Sequence, residues 1–111
     1  MGSRALTQND LLRHELKALR FMLDKLHAGE FDPNVLPARE DFQAEQSRAL
    51  FDAIRNAPSR AAAEQRIAAL ELEDVDVGSF LRLSGEHYYA YPALVRERAA
   101  AIRSGRLKVE A

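Results

Sequence analysis

Four carboxylates fall within six residues, Glu71, Glu73, Asp74 and Asp76, and such a run is the first place to look for a divalent cation. The spacing lacks the ordered oxygen ligands, turn glycine and closing glutamate of a calcium loop. It reads instead as a solvated turn whose charge favours the positive N-terminus of the next helix. The histidines, His14, His27 and His87, are scattered. His14 and His27 share a helix but not adjacent turns, so they cannot chelate one ion between them and read as surface or edge residues. The glycines are isolated, with no phosphate-cradling loop and no Gly-Lys-Ser/Thr element. No carboxylate pair is singled out as acid and base. Cysteine is absent, which removes disulfides, thiolate nucleophiles and cysteine-bound zinc together. The residues therefore point to a non-enzyme that carries no cofactor and no metal.

What remains is chemistry of contact, and five residues carry it: Arg48, Tyr88, Tyr91, Arg96 and Arg98. Arg48 lies beside an apolar helix face with Asp52 four residues on, so it is either half of a surface ion pair or a partner contact. Tyr88, Tyr89 and Tyr91 form the one aromatic cluster, suited to half-buried packing or to an interface that is part apolar and part wet. Arg98 sits in the middle of a face made by Leu94, Val95, Ala101 and Ile102. Either its stem packs on the core while the guanidinium reaches the edge, or it meets a carboxylate in the fold or on a partner. Arg96, Arg103, Arg106 and Lys108 make the C-terminal end basic, which helix electrostatics accounts for and a phosphate contact also would.

These residues need elements to hold them, and the 111-residue chain is long enough for one domain with a single core. It is 47% hydrophobic and 30% charged, the balance of a folding chain rather than a disordered one. A net charge of -1 supplies no global basic field for nucleic acid, so any such contact would be local. No apolar run approaches the roughly 20 residues that cross a bilayer, and no charged-then-apolar leader opens the sequence, so no membrane and a cytoplasmic location are expected. Thr7 with Asp10 marks a helix start, and Gly29 with Pro33 and Pro37 beyond it marks the stop. Between them Leu12, Leu16, Leu19, Leu23 and Leu26 form one seam. Glu30–Glu40 reads as an irregular segment pinned to the core by Phe31, Val35 and Leu36. A second helix is expected from about Asp41 to Ala57, a third from a Ser59 cap to Leu70, a short one over Val77–Leu83, and a last from Tyr91-Pro92 to about Arg103 or Arg106. The expected architecture is all-α, a compact orthogonal bundle of about five to six helices over residues 7–106, with 1–6 disordered or tag-like and 107–111 frayed.

Two segments in this order resemble a known family. Asp41-Phe42, followed after five residues by Arg48-Ala49-Leu50-Phe51 and Ala53-Ile54, resembles the second helix of the N-terminal domain of DnaB-type replicative helicases. Tyr91 with Val95-Arg96-Glu97-Arg98-Ala99 is similar to a later helix of that domain, and Leu72–Leu83 to the short helix before it. The likeness runs from about Leu11 to Ile102. It implies a bundle without enzymatic activity, similar in fold to the helicase-binding domain of DnaG-type primases, that docks to or mimics part of the replicative helicase–primase machinery. Its partner would be a helicase, primase or loader, or a second copy of the chain, met through Arg48, Tyr88, Tyr91, Arg96 and Arg98. The family's Glu-Ala-Glu-Gln-type opening is missing, the stretch between the two segments is short, and there is no motor domain. A second reading is a small helical nucleic-acid-associated regulator that uses the basic C-terminal helix.

Overall fold

The Thr7 hydroxyl accepts the Asp10 backbone N–H at 3.0 Å, and from that cap α1 runs over Gln8–His27. Asp10 in its first turn and Lys25 and His27 in its last complement the helix dipole. The helix ends as its glycine demands: Gly29 adopts φ +78°, and Glu30 N–H closes onto the Lys25 carbonyl at 2.8 Å. The computed structural model describes residues 5–30, 32 and 34–110. Phe31 and Pro33 lie outside the described residues, as do 1–4 and 111, where most of the expected disordered or tag-like N-terminus falls.

The order that follows is a 3-10 turn at Arg39–Asp41, α2 (Glu45–Arg55), α3 (Arg60–Ala68), α4 (Val77–Arg82), a second 3-10 turn at Gly85–Tyr88, and α5 (Tyr91–Arg103). The chain is an all-α bundle, with no strand among its described residues beyond one isolated bridge. Ser59 caps α3 by accepting Ala62 N–H at 3.2 Å. Asp76 caps α4, its carboxylate accepting from Ser79 N–H at 3.1 Å and from the Ser79 hydroxyl at 2.8 Å. The acidic run before α4 thus ends in a helix cap.

Two expected boundaries move. The second helix starts at Glu45, because Asp41 closes the first 3-10 turn by accepting Ala38 N–H at 2.9 Å and Phe42 is extended at φ -83°, ψ 122°. That backbone drives Phe42 fully into the core, where its ring meets Phe51 at 5.7 Å. Asp41-Phe42 therefore lies outside the helix it was expected to open. At the other end, Leu6 and Val109 pair as an isolated parallel bridge, with Leu6 N–H on the Lys108 carbonyl and Glu110 N–H on the Leu6 carbonyl, both 2.9 Å. Residues 107–110, expected to fray, are tied to the start of the chain.

α1 is the central element, packed on α2, α5, the Gly85–Tyr88 turn and, more lightly, α3 and α4. Leu19, Met22 and Leu23 from α1 meet Leu50 and Ile54 from α2, Ile67 from α3, Phe80 from α4 and Val95 from α5. These side chains are almost wholly removed from water, and at about 25 cal/mol per Å² their burial is the main force holding the bundle. Among the described residues no helix is long and apolar enough to cross a membrane.

Candidate docking surface

Three of the five residues singled out in the sequence meet on one surface, where α1, the Gly85–Tyr88 turn and the start of α5 come together. Proline at the second residue of α5 fixes the helix start, and Tyr91 at the first turns toward α1. The Tyr91 ring stacks on His14 with centroids 5.4 Å apart and takes the Tyr88 ring edge-on at 5.9 Å. Lys17, one helical turn beyond His14, places Nζ 4.9 Å from the Tyr91 centroid and 5.6 Å from that of Tyr88, and donates to the Tyr91 hydroxyl at 3.3 Å. These are cation–π distances.

Arg98 completes the cluster. Its Nη1 donates to His14 Nδ1. The guanidinium therefore meets an imidazole from a helix 84 residues away in sequence, where the sequence reading offered an edge position or a carboxylate. Such a bond needs a neutral His14 whose proton is on Nε2. Burial lowers the His14 pKa below its usual 6.5, and the Arg98 and Lys17 charges push the same way.

The sign of the resulting pH dependence is fixed. A histidine whose pKa is depressed by folding contributes stability that is present above its unfolded value of 6.5 and is lost as pH falls through the folded value. The stability margin of the protein over His14→Gln should accordingly shrink as pH drops from about 7 to about 5. His27, whose pKa burial also lowers, keeps some slope in the variant. Urea titrations of both proteins across that window check it; identical slopes would show that the Arg98–His14 contact carries no proton linkage.

The other two candidates are placed elsewhere. Arg48 Nε donates to the Phe42 carbonyl at 2.8 Å, pinning the extended residue before α2. Its expected partner Asp52 instead accepts from Arg39 Nε at 2.9 and 3.1 Å. Arg96 donates to the Val35 carbonyl at 2.9 Å across the bundle. The basic C-terminal end is also engaged, Arg103 by Asp41 at 3.2 Å and Arg106 by the Ser104 hydroxyl at 2.9 Å.

Sequence reading passed over His14 and Lys17 as site residues, and left Tyr89 among the tyrosines without a role. Tyr89 is 75% exposed. Beside it Ala90, Tyr91, Ala93, Leu94 and Glu97 line a shallow, mainly apolar groove of about 420 Å³ that continues the Tyr88–Tyr91 cluster along α5.

A larger cleft of about 610 Å³ lies on the other side of the turn. Its cations are already matched there, Arg60 to Asp24 at 2.7 Å and Lys25 to Glu30 at 2.8 Å, with Arg20 at 3.7 Å from Asp24. With Glu86 also on its wall, that cleft has no excess of either charge. Among the described residues no group of three or more His, Asp or Glu side chains is arranged to hold a metal ion. No family model, curated protein or solved structure matches the chain.

Proposed function

We propose that the chain is a non-catalytic helical docking module whose partner-binding surface runs from the Tyr88–Tyr91 cluster along the first turns of α5. The observation that carries this reading is Tyr89, an exposed aromatic next in sequence to Ala90 and the apolar groove, in a tyrosine run whose other members, Tyr88 and Tyr91, meet Lys17. Tyrosine and arginine dominate the energetics of protein interfaces, because each pairs a large apolar area with a polar tip. A lone exposed tyrosine would need no explanation. This one stands between two further tyrosines in the sequence, both of which pack with Lys17.

The specific version, in which the partner is a replicative helicase, primase or loader, rests on the Asp41–Ile54 and Tyr91–Ala99 segments alone. A site on α5 agrees with the second of those segments. Arg48, in the first, works inside the fold.

Titration of the labelled chain with the helicase, primase and loader of its source cell tests the specific version. Saturable binding to one of them is expected. Absence of binding to all three at tens of micromolar would remove it.

A further inference from the structure

We infer that the partner segment seated on this surface is acidic, with carboxylates that take Lys17 and Arg98; this inference rests on the docking reading above. The argument begins with the ion pairs inside the fold. Arg13, Arg20, Lys25, Arg39, Arg60 and Arg103 each reach a carboxylate of their own chain. Lys17, Arg48 and Arg98 are half-buried and do not, and of these Arg48 is engaged by the Phe42 backbone carbonyl. Lys17 has only a tyrosine hydroxyl and two ring faces, and Arg98 a neutral imidazole.

Two cations that both act on His14, each partly desolvated and neither in an ion pair, produce a local positive potential in a chain whose net charge is -1. Carboxylates of a docking segment would supply the missing charge. A guanidinium gains most from a carboxylate, because both oxygens can accept from its fork of N–H donors and the bond is charge-assisted. Apolar residues between those carboxylates would fall into the groove beside Tyr91 and Leu94.

Nucleic acid also carries negative charge and stacks on aromatics, but the surface fits it less well. The Tyr91 ring is already taken by His14 and Lys17, and the Tyr88 ring by Lys17 and the Tyr91 edge. Only Tyr89 offers an unoccupied ring for a base. A polyanion would also need a row of cations, whereas this surface offers Lys17 and Arg98.

The test is an amide NMR titration of the full chain with three probes: a short synthetic peptide alternating Glu and Leu, its Gln–Leu counterpart, and single-stranded oligo-dT. The Glu–Leu peptide should shift amides at His14, Lys17 and Tyr88–Arg98, and bind about tenfold or more tighter than the Gln–Leu peptide. Lys17→Gln should erase most of that preference, and Arg98→Gln should do the same provided its spectrum remains that of the folded chain. Equal binding of both peptides at these residues overturns the acidic partner and leaves the docking surface standing. Oligo-dT binding there in place of the Glu–Leu peptide overturns the acidic protein segment in favour of nucleic acid. Shifts confined to other residues, with a natural partner bound elsewhere, overturn the docking surface itself.

Discussion

Glu15→Ala is expected to lower the unfolding free energy by about 3 kcal/mol, which places it in the damaging tail of single substitutions. Glu15 projects from α1 and is only 1% exposed, among the most deeply buried charges a small bundle holds. Its two oxygens accept Gln43 N–H at 2.7 Å and Ala44 N–H at 3.1 Å. Ala44 is the cap residue of α2 and has no side chain able to cap it. The carboxylate of one helix therefore finishes the N-terminal approach to another, where the helix dipole also favours negative charge. Removal leaves two donors unpaired in a partly buried place and opens a void, so the cost exceeds that of an ordinary hydrogen bond. For a chain of this size the melting temperature should drop on the order of 15 °C.

A pH signature accompanies it. Burial raises the Glu15 pKa above its usual 4.5, more than the backbone N–H groups of Gln43 and Ala44 lower it. A carboxyl whose pKa is raised by folding contributes fully below the unfolded value, and that contribution is lost as pH rises through the folded value. The stability gap between the protein and Glu15→Gln should therefore widen from neutral pH toward about 4.5. Denaturant unfolding at several pH values reads this directly, and a gap that narrows toward acid would contradict the account.

Gly85→Ala is the second large effect, expected near 3 kcal/mol from overpacking. A Cβ built on Gly85 would stand 2.7 Å from the Arg20 carbonyl oxygen and 2.9 Å from its carbon, and would also strike the Asp24 carboxylate. The carboxylate can swing aside, but the Arg20 carbonyl is in the middle of α1 and cannot move without disturbing the central helix. The Gly85–Tyr88 turn must lift instead, and Tyr88 moves with it away from Lys17 and Tyr91. Stability and partner binding should fall together. Gly78→Ala is the control, since its Cβ would meet only side-chain atoms, at 3.3 and 3.5 Å, and should change stability by no more than about 1 kcal/mol. Equal melting of the two variants would show that the turn is not packed on α1 as described.

The caps at Thr7, Ser59 and Asp76 and the left-handed Gly29 were legible in the sequence, because each depends on a few neighbouring residues. The full span of α5 was legible for the same reason, with proline at its start and Ser104-Gly105 beyond its end. What sequence did not disclose depends on contacts between distant segments. Asp41-Phe42 has the pattern of a helix start, yet burial of Phe42 against Phe51 holds it extended. Nothing in sequence marks Glu15, whose partners Gln43 and Ala44 come from 28 and 29 residues away. Arg98 was recognisable as an anomaly, but neither periodicity nor composition names a partner 84 residues distant. The site was half legible in consequence: Tyr88, Tyr91 and Arg98 by type, and His14 and Lys17 only through the fold.

The central claim is that a protein partner docks on the Tyr88–Leu94 surface, and affinity measured on paired surface variants tests it most directly. Tyr89→Ser removes the exposed ring with little consequence for stability, as a surface position allows. Arg66→Ser does the same kind of damage on the exposed face of α3. Binding of the partner to the first variant should weaken by about tenfold or more, and to the second not at all. Undiminished binding to Tyr89→Ser, together with loss in Arg66→Ser, would move the docking surface to α3 and contradict the account.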